Sequence, residues 1–134
     1  MFDSLKSHSL LKLALLGDAV ASGVAGLAMA AGAGMLHMPL GLPRQLLLWA
    51  GVFLIAYAVL VGLVGTRSNI PRGPAWFIAV VNLAWAVESV AIIQLGWVAP
   101  TPLGLAFVIA QSVLVLGFAL LQIQGLRQVR YASA

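Results

Sequence analysis

Four stretches of roughly 20 residues carry almost no charge, and the segments outside them hold the prolines and most of the basic residues. The stretches run from Ser9 to Ala31, Gln45 to Val64, Ala75 to Trp97 and Leu103 to Ile123. A bilayer core of about 30 Å is crossed by about 20 residues of α-helix, so each stretch is long enough to span. Between them lie "HMPLGLPR", "GTRSNIPRGP" and "GWVAPTP", which hold the turn-forming residues. Hydrocarbon offers the backbone no hydrogen-bond partner, so a span must satisfy itself as a helix. A barrel strand would alternate apolar and polar residues, and these runs do not.

Composition excludes the soluble alternative. Of 134 residues, 63% are hydrophobic and 7% charged. Soluble domains carry about 25% charged residues. The sequence therefore predicts one all-α transmembrane domain over residues 1–134, a four-helix bundle. The net charge of +4 is spread over several short segments and forms no patch, which argues against a nucleic-acid partner. Cysteine is absent, which removes disulfides, thiolate nucleophiles and zinc–sulfur sites.

Charge also predicts orientation. Lys6, Lys12, Arg67, Arg72, Arg127 and Arg130 fall on the side that holds both termini, and Arg44 alone falls on the other. That bias places both termini in the cytoplasm of a multi-pass inner-membrane protein. Trp49, Trp76 and Trp97 lie at span ends, as interfacial anchors do, whereas Trp85 lies deep. The first span also resembles a cleavable signal peptide, with Lys6 and Lys12 ahead of an apolar run and "AMA" at 28–30. Gly17, Asp18 and Ser22 interrupt that run, so it is expected to be retained.

Small residues mark helix contacts in lipid. Ala19, Gly23, Gly26 and Ala30 share one face of span one. Gly51, Ala58, Gly62 and Gly65 form a seam on span two, and Ala106, Ala110 and Gly117 one on span four. The short connections predict antiparallel neighbours, with spans three and four as a tight hairpin.

The polar residues inside the spans are Asp18, Ser22, Tyr57, Asn82, Trp85, Glu88, Ser89 and Gln111. At about 1.5 Å per residue, Asp18, Tyr57 and Asn82 fall roughly 10–13 Å from the cytoplasmic side and Glu88 and Gln111 about 20 Å. Two polar tiers are expected, with Glu88 turned inward onto Gln111. A carboxyl at mid-membrane costs about 2.5–3.5 kcal/mol on insertion scales and should face protein or a water cavity. No Lys or Arg lies at either acid's depth, so a hydrogen-bonding role and a proton-binding role both stay open.

No catalytic constellation, phosphate loop or metal-protease motif is present. His8 and His37 lie about a bilayer apart and cannot share a haem or metal in one chain. Met35 and Met38 beside His37 are soft donors that suit Cu(I), but the simpler expectation is an outer connection without a metal. Neither enzyme activity nor a cofactor is expected.

The segments "LLGDAVASGVAGL", "NLAWAVES" and "GWVAPTPLGLAFVIAQSVLV" resemble a family of small bacterial inner-membrane proteins with four predicted helices and no established activity. The resemblance implies a fold and a location. Small multidrug-resistance transporters share the helix number, the length and an acid in the first span. Their acid is Glu where this chain has Asp18, and their aromatic pattern is missing here. The expected function is a non-enzymatic accessory, assembly or scaffold subunit that meets lipid, other membrane subunits or its own copies. The alternative is an oligomeric proton-coupled small-molecule transporter using Glu88 or Asp18.

Overall fold

The computed structural model describes residues 2–133, with side-chain surroundings described from 9 to 128. The side chains of Lys6, His8 and Arg130 lie outside the described residues. Four α-helices account for nearly all of the chain: α1 (Phe2–Leu40), α2 (Arg44–Gly65), α3 (Arg72–Gln94) and α4 (Pro102–Ser133). All four are long and apolar enough to cross a membrane. The end of the bundle that holds both termini is called the terminal face below, and the other the distal face.

The helix limits differ from the expected ones. Span one was expected to end near Ala31, but α1 continues through the Gly/Ala-rich "GAGMLHMPL" to Leu40. Pro39 stands in its last turn, where little helix remains to be broken. The stop comes at Gly41, whose φ of 66° only glycine adopts without strain. Leu42 N–H donates to the His37 carbonyl and Gly41 N–H to that of Met38, the bonding of a Schellman cap. Gly96, with a φ of 76°, ends α3 in the same way, ahead of the expected limit at Trp97. Helix α4 runs well past Ile123, to Ser133, so α1 and α4 extend beyond the terminal ends of α2 and α3.

Most large exposed side chains within the spans are apolar, among them Leu13, Val20, Leu27, Leu63, Val87 and Val113. That surface suits acyl chains. Trp49 and Trp97 are exposed near the distal face, while Trp76 is half-buried against the core.

Helix α1 is the centre of the packing. It lies against α2 along most of its length and against α4; α3 packs on α4. The α1–α2 contact uses both expected seams. A Cβ on Gly26 would sit 2.8 Å from the Gly51 carbonyl oxygen, and one on Gly51 2.5 Å from the Ala30 nitrogen. Further along, Gly23 meets Ala58 and Gly62 meets Ala19. The rest of the packing is uneven, and the expected α4 seam is not used within the chain. The backbones of α2 and α3, neighbours in sequence, come close at few points, and the two helices meet through side chains. Ala106, Ala110 and Gly117 on α4 face outward, and nothing lies within 4 Å of a Cβ placed on Gly117. Helix α4 packs instead through Gly104, Val108, Ala119, Gly125 and Leu126, which are buried.

Loops fasten the two faces. At the terminal face, Lys12 Nζ donates to the Gly65 carbonyl at 2.8 Å and to that of Arg67 at 3.2 Å. A cation therefore stands at the C-terminus of α2, where the helix dipole favours one. Arg72 donates to the Leu126 carbonyl at 3.2 Å. At the distal face, the Thr101 hydroxyl accepts from Gly104 N–H at 3.1 Å and donates to the Pro39 carbonyl at 2.6 Å. Thr101 thus caps α4 and joins it to the end of α1. Gly104 touches the Leu40 carbonyl so closely that a Cβ there would overlap it.

Gly51→Val should push α1 from α2. The expected loss is about 1–3 kcal/mol, the usual range for overpacking. Reversible unfolding in mixed micelles, followed by circular dichroism, measures it.

Candidate functional site

An interior apolar core would leave no reason for Asp18, yet Asp18 is 1% exposed. Its carboxylate is surrounded by hydrogen-bond donors from three helices. Asn82 Nδ2 of α3 donates to Oδ2 at 2.8 Å, and Gln122 Nε2 of α4 donates to the same oxygen at 2.9 Å. Ser22, one turn further along α1, donates to Oδ1 at 3.0 Å. Asn82 Nδ2 also donates to Gln122 Oε1 at 3.0 Å. Helix α2 joins through the Tyr57 hydroxyl, 3.0 Å from both Asn82 Oδ1 and the Ile78 carbonyl. All four helices therefore meet in one polar cluster, and each of its five side chains is buried. Among the described residues, no buried side-chain nitrogen or oxygen lacks a partner.

The expected first tier of Asp18, Tyr57 and Asn82 comes together, with Ser22 of the same α1 face joined to it. Gln122 is an addition to it, fully buried and in contact with both Asp18 and Asn82. It stands one residue before the expected end of span four, so depth alone did not single it out. One signal was available. Gln111 and Gln122 are eleven residues apart, three helical turns, so both lie on one face of α4.

The second tier differs from expectation. Gln111 does not meet Glu88. Its Oε1 accepts from Trp85 Nε1 at 2.8 Å, and its Nε2 donates to the Val108 carbonyl and to Ser112 Oγ. Ser89 Oγ donates to the Trp85 carbonyl, one turn back on α3. Trp85 stacks on Phe53 of α2 with ring centres 5.5 Å apart, and Phe53 stacks on Tyr57 at 6.0 Å. These three rings bridge α2 and α3 near the middle of both helices. Glu88 is exposed and makes no hydrogen bond or ion pair with the described residues. Helix rotation explains the correction. Six residues at about 100° each put Glu88 roughly 120° around α3 from Asn82. Once Asn82 is fixed on Asp18, Glu88 is turned away from that cluster and stays exposed.

Beyond the Phe53–Trp85 stack, α2 and α3 leave a cavity of about 100 Å3, with Glu88 among its lining residues. Among the described residues, no three His, Cys, Asp or Glu side chains gather to hold a metal. Met35 and Met38 point away from the bundle, 83% and 75% exposed, beside the half-buried His37.

Four membrane-length helices with an apolar exterior and a polar cluster enclosed among them define a small multi-pass integral membrane protein. In comparison with known proteins, no family, no curated protein and no solved structure matches this chain.

The cluster makes an ordering of variants. Asn82→Leu removes two donated bonds and leaves the Tyr57 hydroxyl only the Ile78 carbonyl. It should cost roughly 1–3 kcal/mol, as stripping a buried acceptor does. Tyr57→Phe, which removes one hydroxyl, should cost less, near the average of about 0.6 kcal/mol for interhelical bonds in membranes. Denaturant midpoints in micelles rank the pair.

Proposed function

We propose that this chain is a non-enzymatic accessory, assembly or scaffold subunit of the bacterial inner membrane, acting through helix–helix contacts with other subunits or its own copies. The carrying observation is the seam on α4. Small residues mark contact faces in lipid, and the seams of α1 and α2 are used within the chain. Ala106, Ala110 and Gly117 share one side of α4 and are left exposed. A helix from another subunit could approach there as closely as α2 approaches α1. The polar interior supports the same role. Every buried polar side-chain atom described already has a partner, which suits a part that holds its shape.

The excess of Lys and Arg at the terminal face supports cytoplasmic termini. The same residues attract anionic lipid headgroups. The second possible role, proton-coupled transport by an oligomer, is favoured by one observation: Glu88 is an intramembrane acid without a partner among the described residues. Asp18 suits that role less, because its donors enclose it on three sides.

Gly117→Ile tests the subunit role. Nothing lies near that Cβ, so the fold and its unfolding midpoint should be unchanged. Partners, or further copies, that co-purify from native membranes in mild detergent should be lost. Retention of the same complex would count against the role. For orientation, the chain has no cysteine, so Ser68→Cys supplies a single label site. It should react with a membrane-impermeant maleimide only after the cells are opened.

A further inference from the structure

The cleft between α2 and α3 combines three features on the distal half of the bundle. It is a cavity of about 100 Å3 walled mainly by apolar groups, including Met29, Leu47, Ala50, Ile92 and Phe107. Two of its lining residues, Leu46 of α2 and Glu88 of α3, are exposed, and the backbones of those helices come close at few points, so it opens between them toward the side of the bundle and hence the bilayer. Glu88 lines it without a hydrogen bond or ion pair among the described residues. The neutral polar groups beside Glu88 are already occupied. Trp85 N–H is on Gln111, and Ser89 is on the Trp85 carbonyl. Among the described residues, the Lys or Arg toward the distal face is Arg44, which lies against Gly34 of α1, and His37 stands in the last turn of α1, outside the cavity lining.

We propose that this cleft binds the ammonium group of an amphiphile, with the cation on Glu88 and the apolar end of the molecule in the cavity. A carboxylate at membrane depth is costly unless it is paired, and an opposite charge is worth far more there than in water. Charge complementarity therefore selects a cation. Lateral access and the apolar lining select one attached to an alkyl chain or ring. The size sets a limit. An engineered cavity of about 150 Å3 takes one benzene, so this one admits the end of a chain and not a whole lipid or a helix. Trp85, held by Gln111 and by its stack on Phe53, is a fixed wall against which the guest packs. Two sources carry this chemistry: a free lipophilic amine, and a lipid with a primary ammonium headgroup. The site stands whether or not the chain moves what it binds.

Native mass spectrometry of protein released from micelles tests the proposal, with dodecylamine as one probe and phosphatidylethanolamine, set against phosphatidylglycerol, as the other. One dodecylamine should bind per chain. Glu88→Gln should weaken it at least tenfold while leaving the unfolding midpoint unchanged, because Glu88 holds no bond within the described fold. Ala50→Leu, which fills the cavity and keeps Glu88, should also weaken it. If wild-type protein retains one phosphatidylethanolamine and Glu88→Gln does not, the source is lipid. If dodecylamine alone depends on Glu88, the source is a free amine. Equal binding by wild type and Glu88→Gln, or no saturable binding of either ammonium probe, overturns the proposal.

Discussion

Inside hydrocarbon a carboxyl group must be solvated by the protein that carries it. Asp18 is solvated by Asn82, Gln122 and Ser22, and through Asn82 by Tyr57. The donors are amides and hydroxyls, so no cation has to be brought into the membrane with the acid. Lipid supplies no hydrophobic drive between helices, because acyl chains are as apolar as leucine. Directional bonds and close packing must set the arrangement instead. The Asp18 cluster does this for all four helices at one level. It fixes how far each is rotated about its own axis and how far it slides along its neighbours. The position of Glu88 on the outside of α3 is a direct consequence.

Packing around that cluster is uneven, and the unevenness has a structural cause. Helices α1 and α2 carry glycine and alanine where they face each other, so their backbones come into contact near Gly26 and Gly51. No such pairing joins α2 to α3. Their contact depends on the Tyr57 hydroxyl and on the Tyr57–Phe53–Trp85 stack, all near the middle of the two helices. Past the last ring no hydrogen bond or ring contact joins the two helices among the described residues, and a cavity forms. At the distal face, Thr101 ties α4 to α1 and leaves α2 and α3 unlinked. One chain therefore has a rigid side built on α1 and an open side where its exposed intramembrane acid lies.

Much of this was legible in the residues. The four spans followed from hydropathy and length, and the α1 and α2 seams from helical spacing. The tier of Asp18, Tyr57 and Asn82 followed from depth, at a helical rise of about 1.5 Å per residue. Depth was also the source of the errors. Glu88 and Gln111 do stand near one level, but a common level does not give a common direction. The angular offset between Asn82 and Glu88 could have been computed from the chain. Which of the two turned inward could not, because that depended on which found donors. Gln122 stands beside Ile123, where span four was expected to end, and so was not legible as an interior residue. The helix continues to Ser133, and its alignment with α1 brings Gln122 level with Asp18.

Hydropathy, turn residues and the distribution of Lys and Arg act locally, on each segment and its own solvent. The sequence by itself therefore determined that this is a four-span membrane protein, where its helices begin to break, and which faces of α1 and α2 can approach. Partner choice is not local. Whether the seam of α4 is buried or bare, whether Gln111 meets Glu88 or Trp85, and where the bundle is left open were decided only by tertiary structure. Each depends on the rotation of one helix relative to three others, and that rotation is set where the chain's buried acid finds its donors.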